Sequence, residues 1–212
     1  MQQLLLDIRP PRQPELARFV VGRNAELMAQ LTAMRDGRAV ERAVYLWGER
    51  GSGKSYLLAA WANACRAAGL TVGESEGMDA VVFDGAESWS AERQREVFTV
   101  YNRVRERGGL FVAAGGVPPA QLEGLPDLRT RLGWGLVFQL LPLDDAEKRA
   151  ALIECAAGLG FVLDPAVADY LLTQTRREMQ RLLATVDALD RLSLATRRPI
   201  TLPLLKALLA RG

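Results

Sequence analysis

YLWGERGSGKSY, residues 45–56, fits the pattern G-x-x-x-x-G-K-[ST] at Gly48, Gly53, Lys54 and Ser55. The apolar run Ala43 to Trp47 leads into it and a helical pattern follows, so the stretch reads as strand, phosphate loop and helix. Gly48, Gly51 and Gly53 let the backbone bend until successive amides point inward. A helix opening near Lys54 adds its free N–H groups and the positive end of its dipole. Gly48, Gly51, Ser52, Gly53, Lys54, Ser55 and Tyr56 are therefore the candidate cradle for ADP or ATP. Lys54 would reach the β- and γ-phosphates, and the Ser55 hydroxyl would sit on Mg²⁺.

Upstream of the loop, Phe19-Val20-Val21-Gly22 leads to Asn24, a good helix N-cap, and Leu27, Met28, Leu31 and Met34 recur at helical spacing until Gly37. Val20 and Val21 stand either at the wall of an adenine pocket or in the ordinary core. Downstream, Leu57, Leu58, Trp61, Ala62 and Cys65 form one helical stripe. In Leu70 to Met78 only Thr71-Val72 suits a strand. DAVVFD, residues 79–84, is a strand buried on both sides that ends in an acid. That end lies at the carboxyl edge of the sheet, which makes Asp84 the second Mg²⁺ ligand candidate beside Ser55.

The residue after Asp84 is Gly85, which can neither accept a proton nor position a water, so intrinsic hydrolysis is expected to be impaired. Glu87 is close in sequence but addresses another part of the loop unless the backbone bends back. Ser90 can cap a helix carrying Val97, Phe98, Tyr101 and Val104. Leu110 to Ala114 makes another buried strand, followed by Gly115-Gly116 with no polar side chain. Asp127 to Gly135 is a short polar stretch before a last strand, Leu136 to Leu140. Arg129 and Arg131 in it either face a neighbour's nucleotide or pair locally on the surface. From Pro142 the period is helical throughout. Asp144 with Glu147 makes a capping box, Asp164-Pro165 starts a second helix, Thr175 with Glu178 opens a third, and Thr201 caps a fourth.

The chain has 27 basic against 25 acidic residues, so no global field favours tight non-specific DNA binding. It has no His, the commonest general base, and its two Cys fall on apolar helical stripes. Neither a charged leader nor an 18-residue apolar run appears, which makes a cytoplasmic protein without a transmembrane segment the expectation. At the N-terminus Leu4, Leu6 and Ile8 alternate as in a strand, and Pro10, Pro11 and Pro14 stop the element. Such a segment needs an edge or groove, its own or a partner's.

Together these blocks resemble the DnaA/Hda family of AAA+ proteins, and within it the shorter Hda-like regulatory inactivators of DnaA. FVVGRN (19–24), LWGERGSGKSYLL (46–58), YNRVRERGG (101–109), LPDLRTRLGWG (125–135) and REMQRLL (177–183) carry the resemblance over nearly the whole chain. It implies an α/β AAA+ P-loop core with a parallel sheet at 15–141 and a small all-helical lid at 142–212. Residues 1–14 would be an extended clamp-binding segment and linker. By the same resemblance Arg131 matches the arginine finger and Arg177 the sensor arginine of the third lid helix, a further nucleotide contact. Gln3, Leu4, Leu6 and Ile8 resemble the peptide that engages the sliding clamp. The ending at Gly212 implies no helix-turn-helix for sequence-specific DNA binding. The family's function would be negative regulation of chromosomal replication initiation at the replisome: clamp-bound, the protein stimulates ATP hydrolysis by the DnaA AAA+ domain through Arg131. The alternative is a clamp-binding adaptor without that stimulation, and homodimer formation stays open. Gly85, Gly115-Gly116 and the short 70–78 region depart from the family pattern.

Overall fold

The computed structural model describes residues 13–174 and 178–210. The chain divides into two compact units that interleave in sequence. One takes the chain up to Phe19, then Glu26–Trp47 and Lys54–Gln139; the other takes Val20–Ala25, Gly48–Gly53 and the chain from Leu140 onward.

The first unit is built on five parallel strands: β1 (Ala43–Trp47), β2 (Val72–Gly73), β3 (Ala80–Phe83), β4 (Leu110–Gly115) and β5 (Leu136–Gln139), in the order β2-β3-β4-β1-β5. The central strands are near-continuous apolar runs because both faces are covered. Tyr45, Val81, Phe83 and Phe111 pack with Val97, Tyr101 and Val104 of α3 (Ala91–Glu106) and Leu132 of α4 (Pro126–Trp134). Trp61 of α2 (Lys54–Ala67) is fully buried, and its indole N–H donates to the Leu31 carbonyl of α1 (Ala25–Arg35) at 2.8 Å. Burying each such aromatic contributes about 4–6 kcal/mol before chain entropy is charged against it. The Ser90 hydroxyl accepts from the Arg93 N–H at 3.2 Å and caps α3 as its position suggests.

One expectation needs correction here. Asp127 to Gly135 is not an irregular polar stretch: it is α4, started by Pro126 and held by buried Leu128 and Leu132, one turn apart. In the 70–78 region, where only Thr71-Val72 suits a strand, a two-residue strand does form, with no helix between it and β3. β2 lies parallel to β3, Val72 opposite Ala80, across a connection far shorter than such pairs ordinarily need. The Asp79 carboxylate closes it by accepting from the Thr71 N–H and hydroxyl, at 2.8 and 2.6 Å.

The second unit is a helical bundle, α5 (Asp145–Gly158), α6 (Pro165–Gln174), α7 (Met179–Thr196) and α8 (Leu202–Leu209). Leu152, Leu171, Leu182, Val186, Leu189 and Leu205 form its core. The Asp144–Glu147 capping box is made in both directions, and Asp164 accepts from the Ala166 N–H beside Pro165. The third helix opens later than a Thr175–Glu178 box requires. It begins at Met179, with Glu178 at the N-cap making no side-chain bond, while Thr175 lies outside the described residues. Thr201 sits at the N-cap of α8, also without a side-chain bond. Asn24 has a different task from capping α1: its amide donates to the Val21 and Leu141 carbonyls, both at 3.0 Å, and its Oδ1 accepts from the Leu141 N–H at 2.8 Å. No helix among the described residues is long and apolar enough to cross a membrane.

Candidate nucleotide-binding site

β1 ends at Trp47, α2 begins at Lys54, and the six residues between them make the phosphate loop. Gly51 and Gly53 take φ of +85° and +101°, which a side chain disfavours. Gly48 is needed for another reason: a Cβ there would stand 2.6 Å from the Leu140 carbonyl oxygen. Within the loop the Ser52 hydroxyl is buried and has no hydrogen-bond partner. An unpaired buried hydroxyl costs about 1–3 kcal/mol. A phosphate oxygen is the acceptor it lacks, so the loop fits a nucleotide phosphate.

Ser55, in the first turn of α2, and Asp84, one residue past β3, line the same cavity of about 330 Å³. Both side chains are exposed, and both are oxygen ligands of the kind Mg²⁺ takes together with phosphates and water. Such an ion needs no dedicated cage, and among the described residues there is no cluster of three or more Cys, Asp or Glu that would make one. The cavity continues between α2 and the sheet edge, past Leu58, Ala62, Asn63 and Arg66 on one side and Val72, Glu74 and Val82 on the other.

The Tyr56 hydroxyl lies 3.3 Å from both the N–H and the carbonyl of Glu15, and its ring stacks on Phe19 at 6.4 Å, so it anchors the incoming linker. Val20 and Val21 are half-buried beside Asn24 in sequence. Arg177 and the segment with Gln3, Leu4, Leu6 and Ile8 lie outside the described residues. Arg131, on α4, holds its guanidinium over the Trp134 ring, 3.9 Å from the centroid, with Phe98 at 6.0 Å. None of the ion pairs between described residues uses it, whereas neighbouring Arg129 donates to the Leu122 carbonyl at 3.3 Å.

One site residue escapes local reading. Gly85 is left-handed (φ 68°, ψ 40°) and bends the chain into a 3₁₀ turn, Ala86–Ser88. The backbone thereby does bend back, and the Glu87 Oε2 accepts from the Gly116 N–H at 2.8 Å, at the end of β4. The only sequence signal was the coincidence of Gly85 with Gly115-Gly116.

The fold is similar to that of domain III from the Thermotoga maritima replication initiation protein DnaA, with a TM-score of 0.74 at 19% identity over 96% of this chain and 97% of that one. This is an AAA+ fold. The AAA+ likeness extends to AMPPCP-bound DnaA from Aquifex aeolicus (TM-score 0.71, 20% identity, 85% of this chain and 67% of that one). It also takes in a RuvB variant from Thermotoga maritima (0.62, 16%, 92% and 71%). Residues 145–209 match the family model of the Hda lid domain, so the helices that follow the AAA+ core are a lid of that type.

Proposed function

We propose that this AAA+ chain regulates replication initiation by binding ADP or ATP with Mg²⁺ in its own phosphate loop and presenting Arg131 to ATP held by the initiator's AAA+ module. The posture of Arg131 carries the reading. A guanidinium stacked on an aromatic face keeps its N–H fork for an outside acceptor, and here the ring beneath it, Trp134, is itself 58% exposed. Leu136 and Val137 of the edge strand β5 are also exposed, giving a partner apolar surface beside the charge. Placed against the γ-phosphate of a neighbouring ATP, the guanidinium would neutralise charge as phosphoryl transfer proceeds. Arginines used so raise turnover by about 10³–10⁵-fold. The catalytic surface is then composite, and the ATP consumed belongs to the partner. Gln3, Leu4, Leu6 and Ile8 would tether the chain to the DNA-loaded sliding clamp as an extended peptide in a groove.

The test is ATP turnover by the initiator with clamp, DNA and this protein present. Arg131→Ala should keep clamp and nucleotide binding and lose the stimulation, and Arg131→Lys should restore little of it because a point charge lacks the fork. Undiminished stimulation by Arg131→Ala removes the arginine from this role. Clamp binding with no stimulation by the wild type leaves an adaptor.

A further inference from the structure

We propose that the groove between α2 and the outer edge of β2 is the intramolecular berth of the chain's own N-terminal segment, Gln3 to Ile8, so that the segment must leave this groove before it can enter a partner's. The docking stands on the first unit alone; the competition rests on the reading that the same residues engage the sliding clamp.

The groove follows from the short connection after α2. β2 has two residues, no helix stands between it and β3, and no strand lies beyond it among the described residues. The half of the cavity away from Ser55 and Asp84 is therefore left open, floored by Leu58, Ala59, Ala62, Val72 and Val82. Leu58 and Ala62 are buried, whereas Ala59, Val72 and Val82 are half-buried, so an apolar floor still meets water. A trough beside an edge strand accepts an extended segment with alternate side chains turned in. Leu4, Leu6 and Ile8 have that alternation.

Two observations choose this chain as the occupant. The Asn63 amide, in the wall of the groove, donates to the Pro14 carbonyl at 3.0 Å, and the Tyr56 hydroxyl, two turns earlier on α2, holds the Glu15 backbone. The described chain thus begins against the groove itself. Between Ile8 and Pro14 the prolines at 10, 11 and 14 favour an extended tether of about 19 Å, at about 3.1 Å per residue. From Ser55 to Arg66 α2 rises only about 17 Å, so the tether reaches every part of the groove. The second observation is charge. Arg66 lines the groove, exposed, with its guanidinium on the Asn63 side chain at 3.0 Å and the Val72 carbonyl at 3.3 Å, and it pairs with no acid among the described residues. Asp7 is the single acid of residues 1–12. A tether this short holds the segment at an effective concentration of about 1 mM, so an intrinsic Kd of about 0.1 mM leaves it free about one time in ten.

Assigned amide NMR spectra of wild type and of a Leu4→Ser, Leu6→Ser, Ile8→Ser triple variant, with thermal melts to show that both fold, test the berth. The amides of Ala59, Ala62, Val72 and Gly73 should shift in the variant, and that of Leu189 in the lid core should not. Identical spectra along α2 and β2 overturn the inference. A difference that vanishes on dilution overturns it too, because the groove then takes the segment of a second copy. Clamp titration reads the competition: Ala59→Glu, which fills the trough, should bind the clamp about tenfold more tightly than wild type. An unchanged affinity overturns the competition. Failure of wild type and Ala59→Glu alike to bind the clamp, with the groove shifts present, sinks instead the clamp reading and leaves the berth standing.

Discussion

Gly115→Ala is the substitution whose cost the structure specifies most closely. The added Cβ would stand well inside 3.0 Å of the Tyr45 hydroxyl, and 3.1 Å from the Ala86 Cβ. Tyr45 is 1% exposed, and its hydroxyl donates to the Val117 carbonyl at 3.0 Å. Burial raises the phenol's pKa, the nearby Glu87 charge adding to the effect, so it stays a neutral donor. The ring cannot swing away from a packed core, so the hydroxyl must give up Val117 or the strand end must shift. A lost buried hydrogen bond costs about 1–3 kcal/mol and overpacking a similar amount, giving about 3 kcal/mol in all. Tyr45→Phe alone should cost about 1 kcal/mol, and in that background Gly115→Ala should cost only about 1 kcal/mol more, because the clashing oxygen is gone. Urea unfolding of the four proteins closes the cycle, with a coupling of about 2 kcal/mol expected. An equal cost of Gly115→Ala in both backgrounds would refute the steric argument and leave the glycine at the end of β4 without its explanation.

Asn24→Ala should destabilise the protein by about 3 kcal/mol, since it strips partners from the Val21 and Leu141 backbone at a site 6% exposed. Asn24→Asp should cost more despite its matching shape, because it sets an anion against two carbonyls; urea midpoints check both. Hydrogen bonds from Arg35 and then Arg38, both 2.7 Å long, hold the Asp36 carboxyl down from 3.8 to about 2. A depressed carboxyl stabilises above its unfolded pKa and loses that contribution as pH falls through its folded one. The advantage of wild type over Asp36→Asn should therefore be full above pH 4 and fade toward pH 2, and a constant difference across a pH series of urea midpoints would contradict it.

Features whose chemistry is local were legible in the residue order. The phosphate loop is specified by its own glycines and the Lys54-Ser55 pair; β3 and β4 by apolar runs that only a doubly covered strand needs; α3 and α5 by Ser90 and by the Asp144–Glu147 box. What stayed hidden depends on partners far along the chain. Asn24 has the composition of an N-cap, yet its partner Leu141 lies 117 residues away. Glu87 reaches Gly116 across 29 residues, and nothing in DGAE announces that destination. α4 was masked by Gly133 and its many charges, although Leu128 and Leu132 one turn apart behind Pro126 were its signature. β2, two residues long, is too short to show any period and exists because β3 offers it an edge. The arginine pair on α4 illustrates the limit for function: the pattern leaves both a partner-facing and a locally paired arginine open, and only the ring beneath Arg131 separates it from Arg129.

Equilibrium dialysis of the folded protein against ADP and Mg²⁺, with Lys54→Ala in the adjoining cell, tests most directly whether the loop after β1 seats a nucleotide. One equivalent retained by wild type and little by the variant is the expected result. No retention by wild type that melts cooperatively would contradict the account at its root, because Arg131 would then have no nucleotide-organised module from which to act.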